Sequence, residues 1–133
     1  MISSLYLIAF SVMMNFQGFN DRRILVISAS TCTLKVQNQI DLLKKNSLQL
    51  EERRIAVYTL IGSQLESIIN SSDASETFLE HNKKKFTTPL SPSLYLIGLD
   101  KGVKQTFTDV TQPERIFDIV DSMPMRGAEM RRH

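Results

Sequence analysis

Cys32 is the only cysteine in 133 residues, and the side chain best suited to act as a nucleophile. Its surroundings read Ser30-Thr31-Cys32-Thr33-Leu34-Lys35. An aliphatic run ends just before it, and helical spacing starts just after. Backbone N–H groups at a helix N-terminus stabilise a thiolate, so a thiol at such a junction is a candidate for redox chemistry. A lone cysteine forms no internal disulfide, no CxxC pair and no cysteine zinc site. What remains open to it is a one-cysteine mechanism, resolved by an external thiol. The plainer reading is a small, partly buried residue at a strand–helix turn, because the neighbouring residues supply no activating group.

The second candidate is the string Asp121-Ser122-Met123-Pro124-Met125-Arg126-Gly127-Ala128-Glu129-Met130. Methionines suit adaptable contact surfaces, so Met123, Met125 and Arg126 are candidate binding residues. The alternative is core packing by the methionines and a local Arg126–Glu129 pair three residues apart. Asp100-Lys101-Gly102 reads as a hairpin turn rather than a metal or phosphate loop. His81 stands without a neighbouring nucleophile and reads as a surface histidine. Asn70-Ser71-Ser72 fits a glycosylation sequon to which no meaning is attached. No Ser-His-Asp set, paired carboxylates or glycine-rich nucleotide loop occurs, so no cofactor and no metal are expected.

Composition narrows the partners. Hydrophobic residues make up 42% and charged residues 23%, which suits one globular domain with one core. A net charge of +2 gives no reason to expect nucleic acid. Lys83-Lys84-Lys85 is the main basic run and reads as a solvated loop.

The elements that must carry these residues follow from periodicity. Residues 5–14 are an unbroken apolar run, the length of a signal-peptide core and too short for a confident membrane span. Residues 1–18 are therefore read as a signal peptide or N-terminal apolar segment. This implies a periplasmic or secreted protein with no stable membrane span when mature, the alternative being a retained buried strand or helix of the fold in a cytoplasmic one. Ile24-Leu25-Val26-Ile27 and Ile55-Ala56-Val57-Tyr58-Thr59-Leu60-Ile61 read as buried parallel strands around a helix at 33–46. Ser63-Gln64-Leu65-Glu66 has capping-box spacing, with Leu65, Ile68 and Ile69 at helical intervals, so a second helix is expected there. A further short helix fits 75–82, and 83–91 reads as a loop. Residues 93–98 and 103–108 make a β-hairpin. Thr111-Gln112-Pro113-Glu114 opens a last helix whose stripe is Ile116, Ile119, Val120 and Met123, ended or bent by Pro124. The order predicts an α/β fold: a single thioredoxin-like domain over 19–133, with a strand-helix-strand unit, a β-hairpin and a C-terminal helix.

Four blocks carry a family resemblance: Asn20-Asp21-Arg22-Arg23-Ile24-Leu25-Val26, Glu52-Arg53-Arg54-Ile55-Ala56-Val57, the stretch from Leu96 to Lys104, and Met123 to Met130. Together they resemble the domain-of-unknown-function family 4174. Its members include small bacterial proteins, often with signal peptides, and modules of animal sushi-repeat and coiled-coil-domain matrix proteins. The resemblance implies a thioredoxin-like, peroxiredoxin-related fold and no settled activity. Lys101 stands where glycine is usual, and Gly127 replaces a second basic residue. In such a fold Cys32 falls near the usual place of the nucleophilic thiol, without the proline and threonine that precede a peroxidatic cysteine. Pro92 falls near the place of the cis-proline that faces that thiol, although a proline ahead of a strand is also ordinary punctuation. The expected function is a non-catalytic module binding an unknown protein or small molecule. The alternative is a one-cysteine oxidoreductase or peroxidase using Cys32.

Overall fold

The computed structural model describes residues 22–87 and 91–131. The apolar run at 5–14 lies outside the described residues. The chain folds as β1 (Arg23–Ala29), α1 (Leu34–Lys45), α2 (Ser47–Glu52), β2 (Ile55–Ile61), β3 (Gln64–Ile69), α3 (Asp73–His81), α4 (Lys83–Phe86), β4 (Ser93–Ile97), β5 (Val103–Phe107), α5 (Pro113–Asp121) and α6 (Pro124–Arg131). One five-stranded sheet runs β3-β2-β1-β4-β5. β1 and β2 are parallel, while every other pairing is antiparallel.

The expected α/β domain, its parallel unit, its hairpin and its helix after the hairpin are all present. The unbroken aliphatic runs explain the centre of the sheet. Every residue of β1 is buried, because helices cover both faces. On one face Leu25, Ile27, Val57 and Leu96 pack against Val36, Ile40 and Leu43 of α1 and Ile116, Phe117 and Val120 of α5. On the other, Ile24, Val26, Ala56 and Leu60 pack against Leu79 and Phe86. Each such aliphatic side chain contributes roughly 1.5–3 kcal/mol on full burial. Phe86 also explains why the expected loop at 83–91 begins with a helical turn: α4 swings this ring under the sheet, edge-on to Tyr95 at 5.4 Å.

One expectation is corrected. Residues 64–69 form a strand, not a helix. Gly62 takes φ +64, and with Ser63 it makes a two-residue link that sets Gln64 opposite Ile61. Pairing then satisfies the backbone along the edge of β2, which a helix would have left open. The helix-like spacing of Leu65, Ile68 and Ile69 survives because the β2–β3 register shifts between Val57 and Tyr58. Leu65 consequently packs on one face, while Ile68 and Ile69 both reach the other.

The helix opened by Pro113 does end ahead of Pro124, as expected: α5 stops at Asp121. Pro124 then starts a further helix, α6, which was not foreseen. Proline's missing N–H and fixed φ suit the first turn of a helix. No helix among the described residues is long and apolar enough to cross a membrane.

Candidate functional site

Cys32 lies between β1 and α1, exposed and outside the helix proper. Thr33 is the N-cap, its hydroxyl accepting from Val36 N at 3.4 Å, and so takes the capping position beside the thiol. The side chain lines an open groove of about 400 Å³. One wall is α1, through Gln37, Ile40 and Lys44. The other is β3, through Gln64, Glu66 and Ile68. Thr59 and Ile61 of β2 form the floor.

The walls can be placed from the topology. The chain turns back after β1 into α1, and after β2 into β3, so α1 and β3 descend together from the Cys32 end to the Lys44 end. Ile40, Ile61 and Ile68 supply apolar surface. Gln37 donates to Asp41 at 3.0 Å, which fixes its amide near the rim. Thr59 is 3% exposed. Lys44 and Glu66 face the groove from opposite walls with opposite charge.

Pro92 does not share this groove. It opens β4 and lines a separate cavity of about 30 Å³ with Ile27, Val36, Gln39 and Phe107. No cis peptide bond occurs among the described residues, so the Ser91–Pro92 bond is trans. The expectation of a cis-proline facing the thiol is therefore corrected. An X–Pro bond defaults to trans by about 0.5–1 kcal/mol, and no contact to Cys32 accompanies this one.

Arg126 is not at the surface. It is 3% exposed and ties α6 to the rest of the fold. Its Nε donates to Asp121 Oδ1 at 3.2 Å, Nη1 to Glu52 O at 3.2 Å and Glu129 Oε1 at 3.4 Å, and Nη2 to Glu52 Oε1 at 3.2 Å. Arg53 grips Asp121 with two bonds of 3.0 Å and stacks its guanidinium 4.3 Å from the centre of the Phe117 ring. Arg23, itself buried, donates to both oxygens of Glu129 at 3.3 and 3.2 Å and to Arg53 O at 2.8 Å. Burial pushes the Asp121 carboxyl up, but the hydrogen bonds from Arg53 and Arg126 outweigh it and hold the group below the usual carboxylate range. Burial likewise opposes the Arg126 charge, and its bonds to Asp121 and Glu129 raise its pKa overall.

The expected Arg126–Glu129 pair is thus one edge of a larger cluster, in which a buried guanidinium makes four hydrogen bonds to the fold with its five N–H donors. Met123 is half-buried against the core, whereas Met125 is 60% exposed. With Leu99 and Pro124 they border a second depression of about 380 Å³, which has Arg23 at one side and the Asp100–Lys104 pair at another.

The remaining candidates settle simply. Asp100 Oδ1 accepts from Gly102 N at 2.9 Å, and Lys101 takes φ +68. This is a hairpin turn, and the left-handed backbone at Lys101 is the reason a glycine suits that position. His81 ends α3, exposed. Asn70 Nδ2 donates to Ile55 O at 3.2 Å and stabilises the exit from β3. No group of three His, Cys, Asp or Glu that could hold a metal ion gathers among the described residues.

Thr59, Lys44 and Glu66 were not foreseen as site residues. A two-residue Gly62-Ser63 link between two branched runs was the sign of a hairpin, and so of the groove wall.

No curated protein and no solved structure matches this sequence. The profile of one family, described as a domain of unknown function (DUF4174), matches residues 15–129. That span holds both the groove and the arginine cluster, and on it the chain belongs to the DUF4174 family.

Proposed function

We propose that this domain is a non-catalytic binding module of an exported protein and that it holds its partner in the groove between α1 and β3. One observation carries the reading. The groove joins apolar surface from Ile40, Ile61 and Ile68 to a few polar groups, in the volume range of ligand sites. The apolar run at 5–14 supports export, to the periplasm or beyond the cell.

The test is a photo-crosslinking residue placed at Glu66 of the full chain in its native host, with Glu80 of α3, on the opposite face of the sheet, as control. A discrete adduct from position 66 alone is expected. Identical adduct patterns from both positions would overturn the reading.

The exposed thiol at the groove's end favours one alternative, a one-cysteine peroxidase. In that scheme the Cys32 thiol takes one oxygen from hydrogen peroxide, giving a sulfenic acid and water. Two external thiols then restore it, releasing a second water and a disulfide. Peroxide turnover by the intact chain that disappears in Cys32→Ser would favour this scheme.

A further inference from the structure

We infer that the depression between the start of α6 and the turn after β4 is a second binding site, for a small uncharged molecule with a carbonyl group and an apolar body. It shares no residue with the groove and stands independently of it. The inference rests on one edge of Arg23. That side chain is 1% exposed and lines the depression. A guanidinium carries five N–H donors on three edges, which point roughly 120° apart. The tip of Arg23 holds Glu129, through Nη1 and Nη2 at 3.3 and 3.2 Å. The outer edge of Nη1 holds Arg53 O at 2.8 Å. The third edge sets Nε–H beside the other Nη2–H, and among the described residues the buried Nε has no hydrogen-bond partner. A buried N–H is normally satisfied, so an empty one asks for an acceptor.

The direction of the empty edge follows from the filled ones. Arg53 leads into β2, so the remaining edge is turned away from β2. Across β1 from β2 stands β4, and Leu99 and Asp100, just beyond it, form one wall of the depression. Met123, Pro124 and Met125 form the other. The volume of about 380 Å³ suits a small ligand, and the lining is apolar apart from Arg23 and the Asp100–Lys104 pair. Nε is covered, so a ligand atom reaches it by displacing part of a wall. The methionines allow this, being unbranched and adaptable, and Met125 is 60% exposed.

Charge decides the acceptor. Arg23, Arg53 and Arg126 are already matched by Glu52, Asp121 and Glu129, and Lys104 by Asp100. A carboxylate at the empty edge would be a second anion on a guanidinium that already holds Glu129. A neutral carbonyl oxygen accepts from Nε–H and Nη2–H and adds no charge. Leu99, Met123 and Met125 then take the apolar body.

The test is titration of the full chain, isotope-labelled at methionine methyl carbons and arginine nitrogens, with hexanamide, hexanoate and hexylammonium. Hexanamide is expected to shift the methyl resonances of Met123 and Met125 and the Nε–H resonance of Arg23. Hexanoate should bind at least about 5-fold more weakly, because it meets Glu129. Met125→Ala, at an exposed position and so expected to fold, should weaken hexanamide binding about 3-fold. Arg23→Lys keeps a charge for Glu129 but has no Nε–H, and should erase the preference for hexanamide over hexanoate. The comparisons on the unmodified chain stand whether or not that variant folds.

The inference is overturned if hexanamide leaves both methyl groups unmoved up to its solubility limit. It is also overturned if hexanoate or hexylammonium binds as tightly, since the site would then read charge or chain alone. Methyl shifts without a shift of Arg23 Nε–H would sink it too, because the ligand would only touch an apolar surface.

Discussion

Replacing Arg126 with alanine separates a structural arginine from a recognition arginine. The side chain makes four hydrogen bonds in a buried position. Stranding a buried charge costs about 3–5 kcal/mol. Here the acids are not stranded. Asp121 keeps both bonds from Arg53, and Glu129 keeps both from Arg23. Glu52, whose side chain is 66% exposed, returns to water. The loss therefore falls to about 2–3 kcal/mol, the worth of one or two charge-assisted bonds. For a domain of this size that lowers Tm by roughly 8–12 °C. Urea unfolding followed by circular dichroism gives the number, with Arg126→Lys as control. Lysine restores the charge but not the planar fork, so it should recover only part of the loss. A destabilisation under about 0.5 kcal/mol for Arg126→Ala would refute the idea that this cluster anchors α6.

Asp121 makes stability depend on acidity. Its pKa is lower in the folded state than in the unfolded chain, so its contribution is present above the ordinary carboxylate value of about 4 and fades as pH falls through the folded value. Asp121→Asn should flatten the acid limb of a stability–pH curve; an unchanged limb would contradict this. Tyr58 acts at the other end. Burial raises its pKa, and its hydroxyl both accepts from Ser72 N and donates to Ser72 O at 3.2 Å. Its contribution is present below about pH 10 and is lost as pH rises through the raised folded value. An alkaline absorbance titration should show one late tyrosine that vanishes in Tyr58→Phe. Gly62→Ala forces a side chain into φ +64 where the nearest non-neighbouring atom is 3.9 Å away, so backbone strain alone should cost about 1 kcal/mol in urea unfolding.

The strands at the centre of the sheet were legible because burial on both faces leaves an unbroken aliphatic run, as in Ile24 to Ile27. The closing helix was legible from Pro113 and its apolar stripe. β3 was misread because a register shift lets Leu65, Ile68 and Ile69 keep helical spacing on a strand. The groove went unseen with it, since Glu66 and Ile68 form a wall only once β3 lies beside α1. The arginine cluster left one local trace, the three-residue spacing of Arg126 and Glu129. Arg23 and Glu129 meet across 106 residues, and only the fold brings them together. Pro124 was legible as the end of one helix but not as the start of the next, although the same fixed φ serves both.

The position of β1 also bears on how the chain finds its fold. The hairpins β2–β3 and β4–β5 are each closed by short turns, so their pairings are local and fast to form. β1 belongs to neither, yet it pairs with a strand of each, Ile24 meeting Ala56 on one side and Ile97 on the other. The middle of the sheet is thus its most non-local part, and closing those long loops must precede the reward of burial. Refolding should be limited by insertion of β1 between two preformed hairpins. Truncating Val26 or Leu25 should slow folding, whereas truncating Leu65 should chiefly speed unfolding.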